Sequence, residues 1–316
     1  MKYNYSLISQ ICKMYYIYNL KQNEIASNLR MSESTITRLI KVGKDKGIVT
    51  FNIKDYEGRL DSLENELEKF FKLKEAVVVS DERINSEETI KKKVSKAAAM
   101  LLQRRIREND NIAVSWGSTL AEVAKSLNPS FHLNIYVIPI VGGIDSRGRD
   151  IHSNEIARIA SEAFKGKYYV LNAPVIVESS EIKELLEKEK NIKTVIDKAK
   201  SANIALVGIG SNKQSSTMLK LEYFSSQDFN KLIEKGAIGD ICSNFYDIQG
   251  NIINNVRLNN RILGMGIREL KNLPIVIGVA CGEDKKEAIL GALRGGFINT
   301  IVTNQGVAEY LINNIK

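Results

Sequence analysis

From residue 73 onward, short uninterrupted runs of apolar residues alternate with longer helical stretches, and this alternation restricts the chain more than any other feature. The runs are Ala76–Val79, Ile112–Trp116, Ile135–Ile140, Tyr168–Leu171, Ile204–Ile209, Ile275–Ala280 and Thr300–Thr303. A strand that is apolar throughout needs cover on both faces. Helices between successive strands supply it, so the pattern predicts a Rossmann-like α/β domain with a mostly parallel sheet. The longest helical stretch is 86–107. Ile90, Val94, Ala97, Leu101 and Ile106 share one stripe there, with Asn85 and Glu88 as a cap pair. A length of 316 residues, 44% of them hydrophobic, suits one large or two ordinary domains.

The first 55 residues have a different character. They hold nine Lys and Arg against four acids, a net +5 of the chain's +8. A basic unit at one end suits a phosphate-backbone partner, or is simply a solvated face. Leu7, Ile8, Ile11, Met14 and Tyr15 recur at helical spacing. Two more short helices follow, Gln22–Leu29 and Glu33–Lys41, with Ser32 as N-cap of the second. Ala26 is small where the two would cross, and Ile36 is apolar where the second packs back. This spacing fits a helix-turn-helix. Gln22, Ser32, Ser34, Thr35, Thr37, Arg38 and Lys41 are then the DNA-binding candidates. In an ordinary helical hairpin the same positions are solvated polar residues. Arg30 stands at the turn, where glycine is common. Ile48–Ile53 alternates and reads as a short strand, giving a winged-like head.

Between head and body, Leu60, Leu63, Leu67 and Phe70 follow a 3-4-3 spacing. This is either a short coiled-coil seam or an amphipathic helix packed on its own domain. Its position favours dimerisation. The expected organisation is a head at 1–55, a linker or dimerisation helix at 56–72 and a large α/β domain at 73–316.

Several broad classes are excluded. No apolar run approaches the ~18–20 residues of a membrane span. The N-terminus, MKYNYSLISQICKMYY, has no clean signal core. Cys12, Cys242 and Cys281 lie far apart with no CxxC, so neither disulfides nor structural zinc organise the chain, and a cytoplasmic location is expected. His132 and His152 are the only histidines.

The candidate ligand chemistry lies at strand ends. Ser115-Trp116-Gly117-Ser118-Thr119-Leu120 joins a strand to a helix. Such a turn directs backbone N–H groups outward, with Ser118 and Thr119 adding hydroxyls, and phosphate suits that place. It is neither a Walker nor a GxGxxG pattern, so nucleotide hydrolysis is not indicated. Gly142-Gly143, Gly208, Gly210 and Gly282 end other strands. In open α/β sheets ligands bind beyond those ends, although glycine also merely permits tight turns. Gly239–Asp247 and Glu283–Lys286 bring acids and lysines close by.

These pieces together resemble the SorC family of bacterial transcriptional regulators. The head QNEIASNLRMSESTITRLIKVGKDKGIVTFNI is similar to that family's helix-turn-helix. The body carries SWGSTL, PIVGG, HSNEIARIA, LNAPVIV, GIG, GAIGDICSNFYDIQG and IVIGVACGEDKKEAILGALRGGFINTIVTN. The resemblance implies an effector domain related to the sugar-phosphate isomerase, deaminase and CoA-transferase fold. It implies an operator-DNA partner and a sugar or sugar-phosphate effector, no cofactor or metal, and a homodimer or homotetramer. Gly117, Ser118 and Thr119 would hold a phosphate, Gly142 and Gly143 would line the sugar site, and Asn154 would support it. Asp240 would meet hydroxyls, with Lys285 as a second anionic contact and Phe245, Asp247 and Gly282 as further positions. Three positions depart from the family pattern. Cys281-Gly282 stands for Gly-Gly, Thr303-Asn304 for Thr-Asp, and Glu33 for a basic residue. Val141 offers no amine for a Schiff base.

An enzymatic alternative is a sugar-phosphate isomerase or deaminase with an appended head. That chemistry needs a positioned acid or base, and Asp240, Asp247 and Glu283 are the candidates. With so little histidine the regulator is preferred. A third reading makes the head a protein-interaction module.

Overall fold

A computed structural model describes residues 4–18, 20–49, 60–82, 84, 86–143, 151–212, 226–253 and 259–315. The chain divides into two units, 1–55 and 56–316.

The first unit is built from α1 (Tyr5–Tyr16), α2 (Gln22–Leu29) and α3 (Glu33–Asp45). Asn4 caps α1 by accepting from the Leu7 N–H, and Ser32 caps α3 by accepting from Thr35. Ile8, Ile11, Ile25, Ile36, Leu39 and Ile40 form its core. Gly43 is required where α3 crosses α1, because a Cβ there would lie 2.4 Å from the Cys12 sulfur. Arg30 ends α2 in the left-handed region, at φ 51°. Of the expected strand 48–53, Ile48 and Val49 lie in the turn after α3, and 50–53 fall outside the described residues.

The second unit opens with α4 (Asp61–Phe71) and β1 (Glu75–Val79). Then come α5 (Glu87–Arg105), β2 (Asn111–Val114), α6 (Ser118–Ser126), β3 (Tyr136–Pro139), α7 (Ser153–Phe164) and β4 (Lys167–Tyr168). They are followed by α8 (Ser180–Lys188), α9 (Lys190–Lys200), β5 (Ile204–Gly208), β6 (Gly210–Ser211), α10 (Ser226–Glu234), β7 (Gly239–Ile241) and β8 (Asn244–Tyr246). The last elements are α11 (Ile267–Leu270), β9 (Ile275–Val279), α12 (Lys286–Arg294), β10 (Thr300–Asn304) and α13 (Gln305–Asn313).

Seven strands form one parallel sheet in the order β1-β10-β9-β5-β2-β3-β4. Each corresponds to one of the seven apolar runs. Alternate residues of each strand point to opposite faces. Ala76, Val78, Ala113, Ala205, Val207 and Val276 join α4, α9, α12 and α13 in one core. Val77, Val79, Ile112, Val114, Leu206 and Ile277 join α5, α6 and α7 in the other. The result is a three-layer α/β/α domain.

One expectation changes, and one of two alternatives is seen. The cap of α5 is Ser86, which accepts from Thr89; Asn85 lies outside the described residues. The Leu60–Phe70 seam is used within its own unit. Leu67 is fully buried, Leu60, Leu63 and Phe71 pack on the same core, and only Phe70 is exposed. The small antiparallel sheet β6-β7-β8 was not expected, because its strands are too short for a periodic signal.

Candidate functional site

On α3 of the first unit, Ile36, Leu39, Ile40 and Gly43 face inward. Ser34, Thr37, Arg38 and Lys41 are exposed, and neither Arg38 nor Lys41 forms an ion pair among the described residues. The hydroxyls of Ser34 (3.1 Å) and Thr35 (2.8 Å) both meet that of Ser32 at the helix N-terminus. Thr37 Oγ1 donates to Gln22 Oε1, tying the first residue of α2 to α3. All seven candidates therefore sit on or beside one solvent-facing surface of a basic unit.

In the second unit the topology selects a place. The chain runs β2-β3-β4 toward one edge of the sheet and β5-β9-β10 toward the other, so the strand order reverses between β2 and β5. Ligands of open α/β sheets bind beyond the carboxyl ends of the strands at such a point. A pocket opens there. Ser115 to Leu120, following β2, form one wall. Gly208 to Ser211, following β5, form the second. Asp240 and Cys242 of the small sheet, with Lys285 from the turn after β9, complete it.

Gly117 begins α6 with φ 126° and ψ 158°, a conformation open only to glycine. It turns the chain so that Ser118, Thr119 and Leu120 present N–H groups that have no partner within the helix. The positive end of the helix dipole adds to their attraction for an anion. Lys285, half-buried, forms no ion pair among the described residues. Asp240 lines the same pocket. The residue is 7% exposed, and its carboxylate accepts from the Ser243 N–H at 3.1 Å. Burial raises its pKa to about 6, against the opposing pull of that hydrogen bond and of Lys285.

Asp240 fits only because its neighbour in β6 is Gly210, where a Cβ would lie 2.0 Å from Asp240 Oδ1. The turn from β7 to β8 is strained. Cys242 and Ser243 both have positive φ, 52° and 64°, without being glycine. Asp240 and the Asn244 amide, which donates to Cys242 O at 2.8 Å, hold this turn. Burial pushes the Cys242 thiol up to about 12, so it stays protonated, and it lies 3.4 Å from Ser115 Oγ. The Ser211 hydroxyl is buried at the pocket wall without a hydrogen-bond partner among the described residues.

Gly117, Ser118, Thr119, Asp240 and Lys285 thus line one pocket. The other six candidates are not in its described lining. Gly142 and Gly143 pack against another loop; a Cβ on Gly142 would meet the Pro174 carbonyl oxygen and one on Gly143 the His152 ring. Asn154 clamps Leu171, accepting from its N–H and donating to its carbonyl. Phe245 is buried with Phe229, Leu232, Ala237 and Ile253. Asp247 accepts from the backbone of Gln249 and Asn251 and so shapes a turn. Gly282 donates its N–H to Asn304. Sequence reasoning missed Ser211 and Cys242 as lining residues, since nothing in their spacing reveals that the small sheet folds over the strand ends.

The "Putative sugar-binding domain" family model matches residues 55–313. The chain is 31% identical over 306 residues to the deoxyribonucleoside regulator of Bacillus subtilis, covering 97% of each chain. It is 33% identical over 312 residues to the sorbitol operon regulator of Klebsiella pneumoniae, again covering 97% of each. The crystal structure of full-length SorC from Klebsiella pneumoniae superposes with a TM-score of 0.74 at 32% identity, over 99% of this chain and all of that one.

The chain belongs to the SorC family of transcriptional regulators.

As a SorC-family member it is a transcriptional regulator rather than an enzyme, and its sugar-binding domain is the second unit. Among the described residues no helix is long and apolar enough to cross a membrane. The asparagine at 304 has a local physical reason. Asn304 donates its amide to the Asp81 carboxylate. An aspartate at 304 would set two carboxylates against each other.

Proposed function

We propose that this regulator binds operator DNA through α3 and that a phosphorylated sugar in the β2/β5 pocket changes its operator affinity. Arg38, Ser34 and Thr37 would approach base edges, with Lys41, Gln22, Ser32 and Thr35 on phosphates. The observation that carries the effector reading is that two kinds of group line one pocket. The first comprises the N-terminus of α6, two hydroxyls and Lys285; the second is the buried Asp240 carboxylate. A phosphate suits the first and sugar hydroxyls donating to a carboxylate suit the second. The names of the relatives point to a deoxyribonucleoside-derived sugar or a hexitol. The protein would act in the cytoplasm as a homodimer or homotetramer, placing two heads on half-sites about 10 bp or a multiple apart. Regulation requires the effector to bind two conformations with different affinity.

Thermal unfolding tests this reading, using 2-deoxyribose 5-phosphate, sorbitol 6-phosphate and the free sugars. A ligand at about 100 times its Kd adds about 2.7 kcal/mol to the folded state. Stabilisation by a phosphorylated sugar, lost in Thr119→Ala, is the expected result. Stabilisation by free sugars alone would remove the phosphate from the proposal. No stabilisation by any of the four would remove these effectors.

A further inference from the structure

The wall of the pocket that carries Lys285 is joined to the opposite edge of the sheet by one side chain. Gly282, with φ 100°, starts the turn Glu283–Lys285, and the Lys285 N–H returns to the Gly282 carbonyl at 3.1 Å. The Gly282 N–H donates to Asn304 Oδ1 at 3.0 Å. The other end of the same amide, Nδ2, donates to Asp81 Oδ2. The chemistry fixes this orientation, because an N–H needs the amide oxygen and a carboxylate needs the amide nitrogen. Asn304 ends β10 and precedes α13, yet its side chain makes no capping bond to that helix. Asp81 supplies the cap instead, accepting from the Gly306 N–H at 3.2 Å.

Asp81 lies two residues beyond β1. The opposite side of β1 is the sheet edge, where α4 docks. Glu64 accepts from the Val78 N–H at 2.8 Å and Glu68 from the Ala76 N–H at 2.9 Å. The chain enters this unit through α4, so α4 is the first described helix after the head. Bonds therefore run from the Lys285 turn to Asn304, to Asp81, and along β1 to α4.

We propose that Asn304 is a positioning residue that couples occupancy of the pocket to the docking of α4 on β1. The proposal rests on the effector reading above. A ligand that draws in Lys285 moves the turn at Gly282, and the two-ended amide passes that movement to Asp81 and the end of β1. Adjacency alone does not establish coupling, so the test has to show that the two ends respond together.

Hydrogen–deuterium exchange followed by mass spectrometry on the full-length protein does this, comparing wild type with Asn304→Asp and Asn304→Ala. The second variant breaks the bridge without adding a charge, should the first fold poorly. Without ligand, either variant is expected to speed exchange roughly tenfold in 281–286 and 61–82 together, as for one lost charge-assisted bond. Exchange in 136–143 should stay unchanged. Faster exchange confined to 281–286 would overturn the bridge. With 2-deoxyribose 5-phosphate or sorbitol 6-phosphate, wild type should gain protection at both 115–120 and 61–82. The variants should keep the first and lose the second. Protection confined to 115–120 in wild type, or passed on unchanged by both variants, would sink the proposal. Absence of any protection at 115–120 would count against the effector reading, and the ligand-free comparison would still decide the bridge.

Discussion

Glu64, on the helix before the sheet, accepts a hydrogen bond from the backbone N–H of Val78, on the sheet's edge strand, at 2.8 Å. Glu68, one helical turn later, does the same for Ala76. Four residues of helix rise about 6.0 Å and two residues of strand about 6.6 Å, so the two spacings match. An edge strand normally offers unpaired N–H groups to other chains. Here two carboxylates cover them.

Glu64→Ala leaves a buried N–H without an acceptor. We expect a loss of about 1–3 kcal/mol in urea unfolding. Glu64→Gln retains an acceptor oxygen and should cost less. Phe70→Ser, on the exposed side of the same helix, should change stability by less than about 0.5 kcal/mol.

This pair also marks the boundary of what the sequence reveals. The seven runs that became the parallel sheet are legible because burial on both faces demands unbroken apolar stretches. Glu64 and Glu68 read as the solvent face of an amphipathic helix, since nothing local distinguishes a glutamate in water from one bonded to a distant strand. The same holds at the pocket. Ser118 and Thr119 are visible because a glycine turn before a helix has its own signature, whereas Ser211 and Cys242 arrive through a sheet of two- and three-residue strands. Asn154 and Asp247 are polar residues in a suggestive setting that the fold uses for backbone clamps.

The strained turn over the pocket gives a pair of opposite effects. Ser243 holds φ 64°, which costs an L-residue roughly 1–2 kcal/mol. Glycine removes that cost but gives back roughly 0.4–1 kcal/mol through a freer unfolded chain. Ser243→Gly should therefore raise stability by about 0.5–1 kcal/mol. Gly210→Ala should lower it by about 1–3 kcal/mol, because the new methyl displaces the Asp240 carboxylate. Melting curves of the two variants beside wild type check both signs.

Asp240 makes the unliganded protein sensitive to pH. Its folded pKa, about 6, lies above the ordinary 3.8. Between those values the folded state holds the proton more tightly than the unfolded state, so stability falls as pH rises. The effect is complete above the folded pKa and amounts to about 3 kcal/mol at most. The urea midpoint should therefore fall from pH 4 to pH 7, once other carboxylates are allowed for by comparison with Asp240→Asn. That variant should show a smaller decline over the same range. Equal pH profiles for the two proteins would mean that Asp240 titrates as it does in water.

The division of labour between the units predicts separable losses in DNA binding. Arg38 and Lys41 are exposed on α3 without acidic partners among the described residues. If Lys41 meets a phosphate, Lys41→Ala weakens every duplex alike and lowers the slope of log K against log salt by about 1. If Arg38 reads a base edge, Arg38→Ala costs about 1–3 kcal/mol on the preferred duplex and much less on random sequence. Fluorescence anisotropy with a duplex from upstream of the protein's own coding sequence, beside a scrambled one, distinguishes the two. Both changes belong to the first unit and the pocket to the second, so the sugar-phosphate stabilisation should survive in both variants. Its loss in Arg38→Ala would show that the head and the effector domain do not act as separate parts.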